Sequence, residues 1–146
     1  MKSKILAFIY DLGKNQFLSL YGEPHPEHGE GGWFVVTGGI EKGETFEEVV
    51  RREILEKTGL EVSEILPLNW GSTYKWEGEE CLEMNYFVFT KSGEIVLNEE
   101  RSKYEWLDLK KFVERINWND NKNLLEKVLT LAINREIYFN KKERGE

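Results

Sequence analysis

The stretch GGIEKGETFEEVVRREILEKTGL, residues 38–60, decides how this chain is read. Thr45 followed three residues later by Glu48 makes a capping box: a hydroxyl covers an open backbone N–H, and a glutamate reaches back to the cap. Phe46, Val50 and Ile54 then recur every four residues and give one apolar helix face. Gly59 suits the left-handed conformation that ends a helix, because it has no Cβ to clash. The spacing predicts a helix over about 46–58.

Upstream, Ile5 to Tyr10 is a nearly continuous apolar run, and Phe17 to Tyr21 is another. The intervening Asp11-Leu12-Gly13-Lys14-Asn15 reads as a tight turn between two strands. Gly22 to Gly32 is rich in Gly, Pro and Glu, so it is a loop. Trp33 to Val36 predicts a short buried strand running into a Thr37-Gly38-Gly39 turn. Downstream, Glu61 to Tyr74 looks extended. Cys81 to Lys91 alternates, with Leu82, Met84, Tyr86 and Val88 on one face, and Tyr104 to Leu107 is a further short strand. Loops containing Gly71 and Glu77 to Glu80 separate these strands. Leu124, Leu125, Val128, Leu131 and Ala132 mark an amphipathic C-terminal helix over about 119–138, and the tail from Lys141 is charged. Strands mixed with two main helices at distant positions imply an α/β (α+β) fold, a mixed sheet with a helix on each face.

On the predicted helix, Glu53, Glu56 and position 57 fall within a sector of about 100°, offset from the apolar face. Carboxylates gathered there form a hard-oxygen site suited to Mg²⁺ or Mn²⁺, which keeps waters and completes its shell with substrate phosphates. The Thr37-Gly38-Gly39 turn can bring a backbone carbonyl close to them, since glycine permits close approach. Arg52, beside Glu53 and four residues after Glu48, can brace the carboxylates or neutralise phosphate charge. Glu44 lies where the helix dipole favours an anion. Singly, each of these is an ordinary solvated helix residue. Their joint spacing, behind a strand and across a capped helix start, is what marks a polyphosphate site.

The bulk numbers set the limits. At 146 residues and 17.2 kDa the chain has the size of a single domain, 1–146. A net charge of −7 argues against binding nucleic-acid polymers through their backbones, so a phosphate substrate needs metal ions as intermediaries. One cysteine, Cys81, cannot form an internal disulfide. The chain starts on a strand-like segment instead of a leader, and together these features favour the cytoplasm. No apolar run approaches the roughly 18 residues of a membrane span.

The segment from Gly38 to Leu60 resembles the signature box of the Nudix hydrolases (MutT-like), with Lys57 where the family has glutamate. The likeness extends over residues 3 to 135. It implies an α/β/α sandwich around a mixed sheet, and metal-assisted attack of water on phosphorus in a nucleoside diphosphate linked to another group. Carried over, Glu53 is a metal ligand or general base, and Glu56 and the Thr37 carbonyl are metal ligands. Arg52 is counted with the catalytic residues and with Glu44 supports the geometry, as do Gly38, Gly39 and Gly59. Position 57 is often a principal metal ligand in the family. Lys57 cannot ligate a metal, and at i+4 it is placed to pair with Glu53; it replaces one cation, or it occupies Glu53 and silences the site.

Trp33 to Glu44, with Glu100, Tyr104 to Leu107 and Trp118, is similar to the branch hydrolysing dATP and dihydroneopterin triphosphate, including Thr37 where many relatives have proline. The same tail pattern occurs in dinucleoside tetraphosphate hydrolases. Glu100 becomes the candidate base or extra metal ligand from a later loop, with Glu99 its rival. The implied partner is a small nucleotide or polyphosphate, and the protein a monomer or homodimer. His25 and His28 read as loop surface, and Cys81 as packing. Trp33, Trp70, Tyr74 and Trp76 are aromatic candidates for stacking a flat ligand, with packing the commoner role for each.

Overall fold

The computed structural model describes residues 2–24, 31–98, 103–118 and 121–137, and only the backbone at 69, 70 and 76. Among them the chain forms β1 (Lys2–Asp11), β2 (Gln16–Gly22), β3 (Gly32–Phe34), β4 (Val36–Gly39), α1 (Phe46–Thr58), β5 (Val62–Trp76), β6 (Glu79–Thr90), β7 (Lys103–Leu107), α2 (Leu109–Arg115) and α3 (Lys122–Ile133). The sheet runs β3-β2-β1-β6-β5, with β4 also paired to β1 and β7 to β2. β1 and β6 are parallel and the other pairs antiparallel, so the sheet is mixed.

β1 carries apolar residues on both sides because both sides are covered. Ile5, Ala7 and Ile9 join Val36, Val49, Val50 and Ile54 in the core beneath α1. Leu6, Phe8 and Tyr10 face the opposite core with Phe87, Phe112, Leu125 and Leu129. There Phe17 stacks on Phe112 with ring centroids 4.8 Å apart. Two layers of helix enclose one sheet, an α/β/α sandwich.

The turn after β1 is shaped by Asp11, whose side chain accepts from Gly13 N (2.8 Å) and Lys14 N (3.2 Å). Four expectations need correction. Trp33 to Val36 is not one strand: the chain changes partner at Val35, with β3 on β2 and β4 on β1. Thr37-Gly38-Gly39 is the end of β4 and not a turn. Gly71 lies inside β5 at a register shift, paired with Met84, where a Cβ would meet the Glu83 carbonyl at 2.7 Å. The C-terminal helix is shorter than expected: the Asn121 side chain caps its start by accepting from Asn123 N and Leu124 N, and it stops at Ile133, with Arg135 at a positive φ of 59° just beyond. One helix, α2, was not anticipated.

Candidate active site

The local sequence builds α1 as its signals require. Thr45 Oγ1 accepts from Glu48 N (3.2 Å), while Glu48 Oε1 accepts from Thr45 N (3.0 Å). At the far end Gly59 adopts φ 76° and donates its N–H to Leu55 O at 2.9 Å. The helix runs past the backbone of β4, which pairing with β1 (Ile5 with Gly38, Leu6 with Thr37) holds in place.

Glu53 is the residue around which this junction is arranged. It points into the helix–sheet interface with only 7% exposure. A charge so buried is stable only with partners. Arg52 Nη1 donates to its Oε1 at 2.8 Å, and the Lys57 ammonium lies 3.3 Å from its Oε2. Gly38 makes room, since a Cβ there would overlap the Glu53 carboxyl. Lys57 Nζ also donates to the Thr37 carbonyl at 2.5 Å, so it bridges helix and strand.

Arg52 is the second hub. Its Nε and Nη2 grip the Glu44 carboxylate at 2.7 and 2.8 Å, and Nη2 donates to the Gly39 carbonyl at 3.1 Å. A planar fork of donors matches this set in a way an ammonium cannot. Hydrogen bonds from Arg52, then from the Glu41 backbone, hold the Glu44 carboxyl at about 2, well below its ordinary 4.5. The same bond to Glu44 raises the Arg52 guanidinium further. Glu56 Oε2 lies 3.6 Å from Arg52 with its side chain 56% exposed.

Beside this cluster opens a cleft of about 880 Å³ lined by Lys2, Lys4, Gly39, Lys42, Glu44 and Tyr74, with Ser3 and Cys81 in its wall. The Lys4 ammonium lies 5.4 Å from the centre of the Tyr74 ring and 3.1 Å from Glu83. Burial works against its charge, but Tyr74 and Glu83 outweigh that and raise its pKa.

Of the residues singled out in the sequence, Thr37, Gly38, Gly39, Glu44, Arg52, Glu53, Glu56 and Lys57 come together. Gly59 acts at a distance, by ending α1. Arg52 turns to Glu44 instead of Glu48, which the helix cap engages. Gly38 meets the need for close approach, whereas a Cβ on Gly39 would touch nothing within 4 Å. Trp33 packs against Tyr21 (centroids 5.3 Å) and under the Arg115 guanidinium (4.9 Å). Cys81 is buried in β6. Tyr74 alone of the described aromatic candidates reaches the cleft. Glu99, Glu100, His25 and His28 lie outside the described residues, as do the side chains of Trp70 and Trp76. Sequence reasoning missed Lys2 and Lys4, although their alternation at the start of β1 puts both on one strand face.

Among the described residues no group of three or more His, Cys, Asp or Glu side chains stands ready to hold a metal. The Thr37 carbonyl and Glu53 Oε2 both face the Lys57 ammonium, so the space between them does not fit a divalent cation. Glu56 does fit as a single exposed donor, the share a protein commonly gives to Mg²⁺ that is also held by substrate phosphates.

The family model of the NUDIX domain matches residues 4–128. The chain belongs to the Nudix family. A relative is the nucleoside triphosphatase NudI of Escherichia coli K12, 36% identical over an alignment of 87 residues that covers 53% of this chain and 62% of NudI. The chain spans under two thirds of the curated relatives it matches, from 26% to 62% of their length. Among solved structures, the Caenorhabditis elegans Ap4A hydrolase superposes with a TM-score of 0.71 over 92% of this chain and 99% of its own, at 17% identity. The E. coli dihydroneopterin triphosphate pyrophosphohydrolase gives 0.66 over 86% and 92%, at 21% identity. Both likenesses are of fold, and they agree with the Nudix sandwich described above.

Proposed function

We propose that this Nudix domain is a pyrophosphohydrolase. It cleaves the pyrophosphate linkage of a nucleoside triphosphate, releasing a monophosphate and pyrophosphate, or that of a related nucleoside-diphosphate-X compound, releasing a monophosphate and phosphorylated X. The observation that carries this reading is the Glu53 side chain, buried and fixed between Arg52 and Lys57. Family membership and the NudI relative support it.

Each oxygen of Glu53 keeps a lone pair beyond the contacts made by Arg52 and Lys57, so the group can orient a water and accept its proton. The water oxygen forms the new bond to phosphorus, and the bridging P–O bond breaks with its electron pair staying on the bridging oxygen of the departing product. Arg52, clamped by Glu44, keeps Glu53 in position. Glu56, together with substrate phosphates, would hold Mg²⁺ or Mn²⁺, which supplies charge neutralisation at the phosphoryl oxygens when bound. Glu100 is a second candidate base or ligand. The cleft lined by Lys2, Lys4 and Tyr74 receives the rest of the substrate, its cations facing phosphate and its aromatic ring facing a flat group.

In this reading residues 1–146 act as one domain, a cytoplasmic monomer or homodimer that binds neither nucleic-acid polymer nor membrane. A net charge of −7 supports the first exclusion. No helix among the described residues is long and apolar enough to cross a membrane. Lys57 favours a second reading, a nucleotide-binding Nudix domain without turnover. Purified protein with Mg²⁺ or Mn²⁺, assayed against dNTPs, dinucleoside polyphosphates and nucleotide sugars with products identified, separates the two. Turnover that falls by about 100-fold or more in Glu53→Gln supports the enzyme. Nucleotide binding without turnover of any compound supports the second reading.

A further inference from the structure

Divalent cations settle where several oxygens converge, and here one such convergence is filled from within the chain. The Thr37 carbonyl is presented by β4, whose register on β1 fixes Thr37 opposite Leu6. The Glu53 carboxylate is presented by α1, with room made by Gly38. Lys57, one turn further along α1, places its ammonium between them, 2.5 Å from the carbonyl oxygen and 3.3 Å from Glu53 Oε2. Its side chain is only 12% exposed.

We infer that Lys57 is a resident cation standing where a divalent metal ion would bind Thr37 and Glu53. The free protein therefore has no tight Mg²⁺ or Mn²⁺ site at that position, and a metal ion joins only with a polyphosphate. This rests on the proposed function only for the arrival of the polyphosphate; the exclusion of metal from the free protein follows from the contacts alone. Two cations cannot share the space, because like charges a few ångströms apart in a poorly solvated interface repel strongly. The exchange has a chemical consequence. An ammonium donates hydrogen bonds and neutralises charge, but it has no open coordination position and cannot acidify a bound water as a metal ion does. Proton removal from the attacking water then falls more heavily on a carboxylate.

The test is Mn²⁺ titration without nucleotide, following free Mn²⁺ by electron paramagnetic resonance, on wild type, Lys57→Glu and Lys57→Met. Lys57→Glu swaps the competing charge for a ligand and is expected to bind Mn²⁺ at least about tenfold more tightly than wild type. Lys57→Met removes the ammonium without adding a ligand and is expected to fall between them. Circular dichroism confirms that each variant is folded. Should Lys57→Glu fail to fold, the comparison of Lys57→Met with wild type decides, and equal affinity overturns the inference. A wild type that binds Mn²⁺ as tightly as folded Lys57→Glu overturns it too. No substrate enters this titration, so an inactive protein would sink the proposed reaction and leave the metal result standing.

Discussion

Gly38 and Glu53 occupy each other's space: a Cβ on the strand residue would overlap the carboxyl of the helix residue. Glu53 cannot easily yield, since Arg52 and Lys57 hold its two oxygens. Gly38→Ala is therefore expected to cost about 1–3 kcal/mol, the usual penalty for overpacking. Gly39→Ala, with no atom within 4 Å of the added carbon, is expected to leave the urea midpoint near wild type. Equal effects of the two substitutions would contradict this geometry.

The Arg52–Glu44 pair sets a pH dependence with a definite sign. Glu44 titrates at about 2 in the folded chain against an ordinary 4.5. A depressed carboxylate stabilises the fold above its unfolded pKa and loses that contribution as pH falls through the folded one. The stability gap between wild type and Glu44→Gln should be constant above about 4.5, narrow as pH falls, and close near 2. Urea unfolding at a series of acid pH values measures it, and a gap that widens toward low pH would refute the assignment.

The two ends of α1 act independently. Thr45→Ala removes the cap hydroxyl and is expected to cost about 1 kcal/mol. Gly59→Ala forces a side chain into φ 76° and brings its Cβ to 3.2 Å from Val96 Cβ, for about 1–2 kcal/mol. Thirteen helical residues separate the caps by about 20 Å, so the double variant should show the sum.

Tyr74 serves binding in this scheme. For whichever compound is turned over, Tyr74→Ala is expected to raise KM about 3- to 10-fold through the lost aromatic contact, with kcat nearly unchanged. A large fall in kcat at constant KM would place Tyr74 in the chemistry instead of the cleft wall.

Short-range chemistry was legible in the sequence and long-range pairing was not. The bounds of α1 follow from Thr45, Glu48 and Gly59, all within the helix and its caps. The Lys57–Glu53 pair follows from helical spacing alone. The Lys57 bond to Thr37 does not, because it depends on β4 lying against β1. α2 escaped notice because its seven residues are too few for a periodic signal, although Asp108 caps it by accepting from Lys111 N at 2.9 Å. Arg52 could be read as a brace, but its choice of Glu44 over Glu48 is settled by the capping box claiming Glu48.

The parallel pairing of β1 with β6 also sets an order of assembly during synthesis. Lys2 to Asp11 leave the ribosome well before their partners Cys81 to Thr90. At translation speeds of about 5–20 residues per second, the gap is about 4–16 s. The hairpin with β2, the β4 backbone and the capped α1 all precede β6. The nascent chain thus carries the half with the candidate site for seconds while one edge of β1 waits with its N–H and C=O groups unpaired, a window in which a holdase or a neighbouring nascent strand competes with β6.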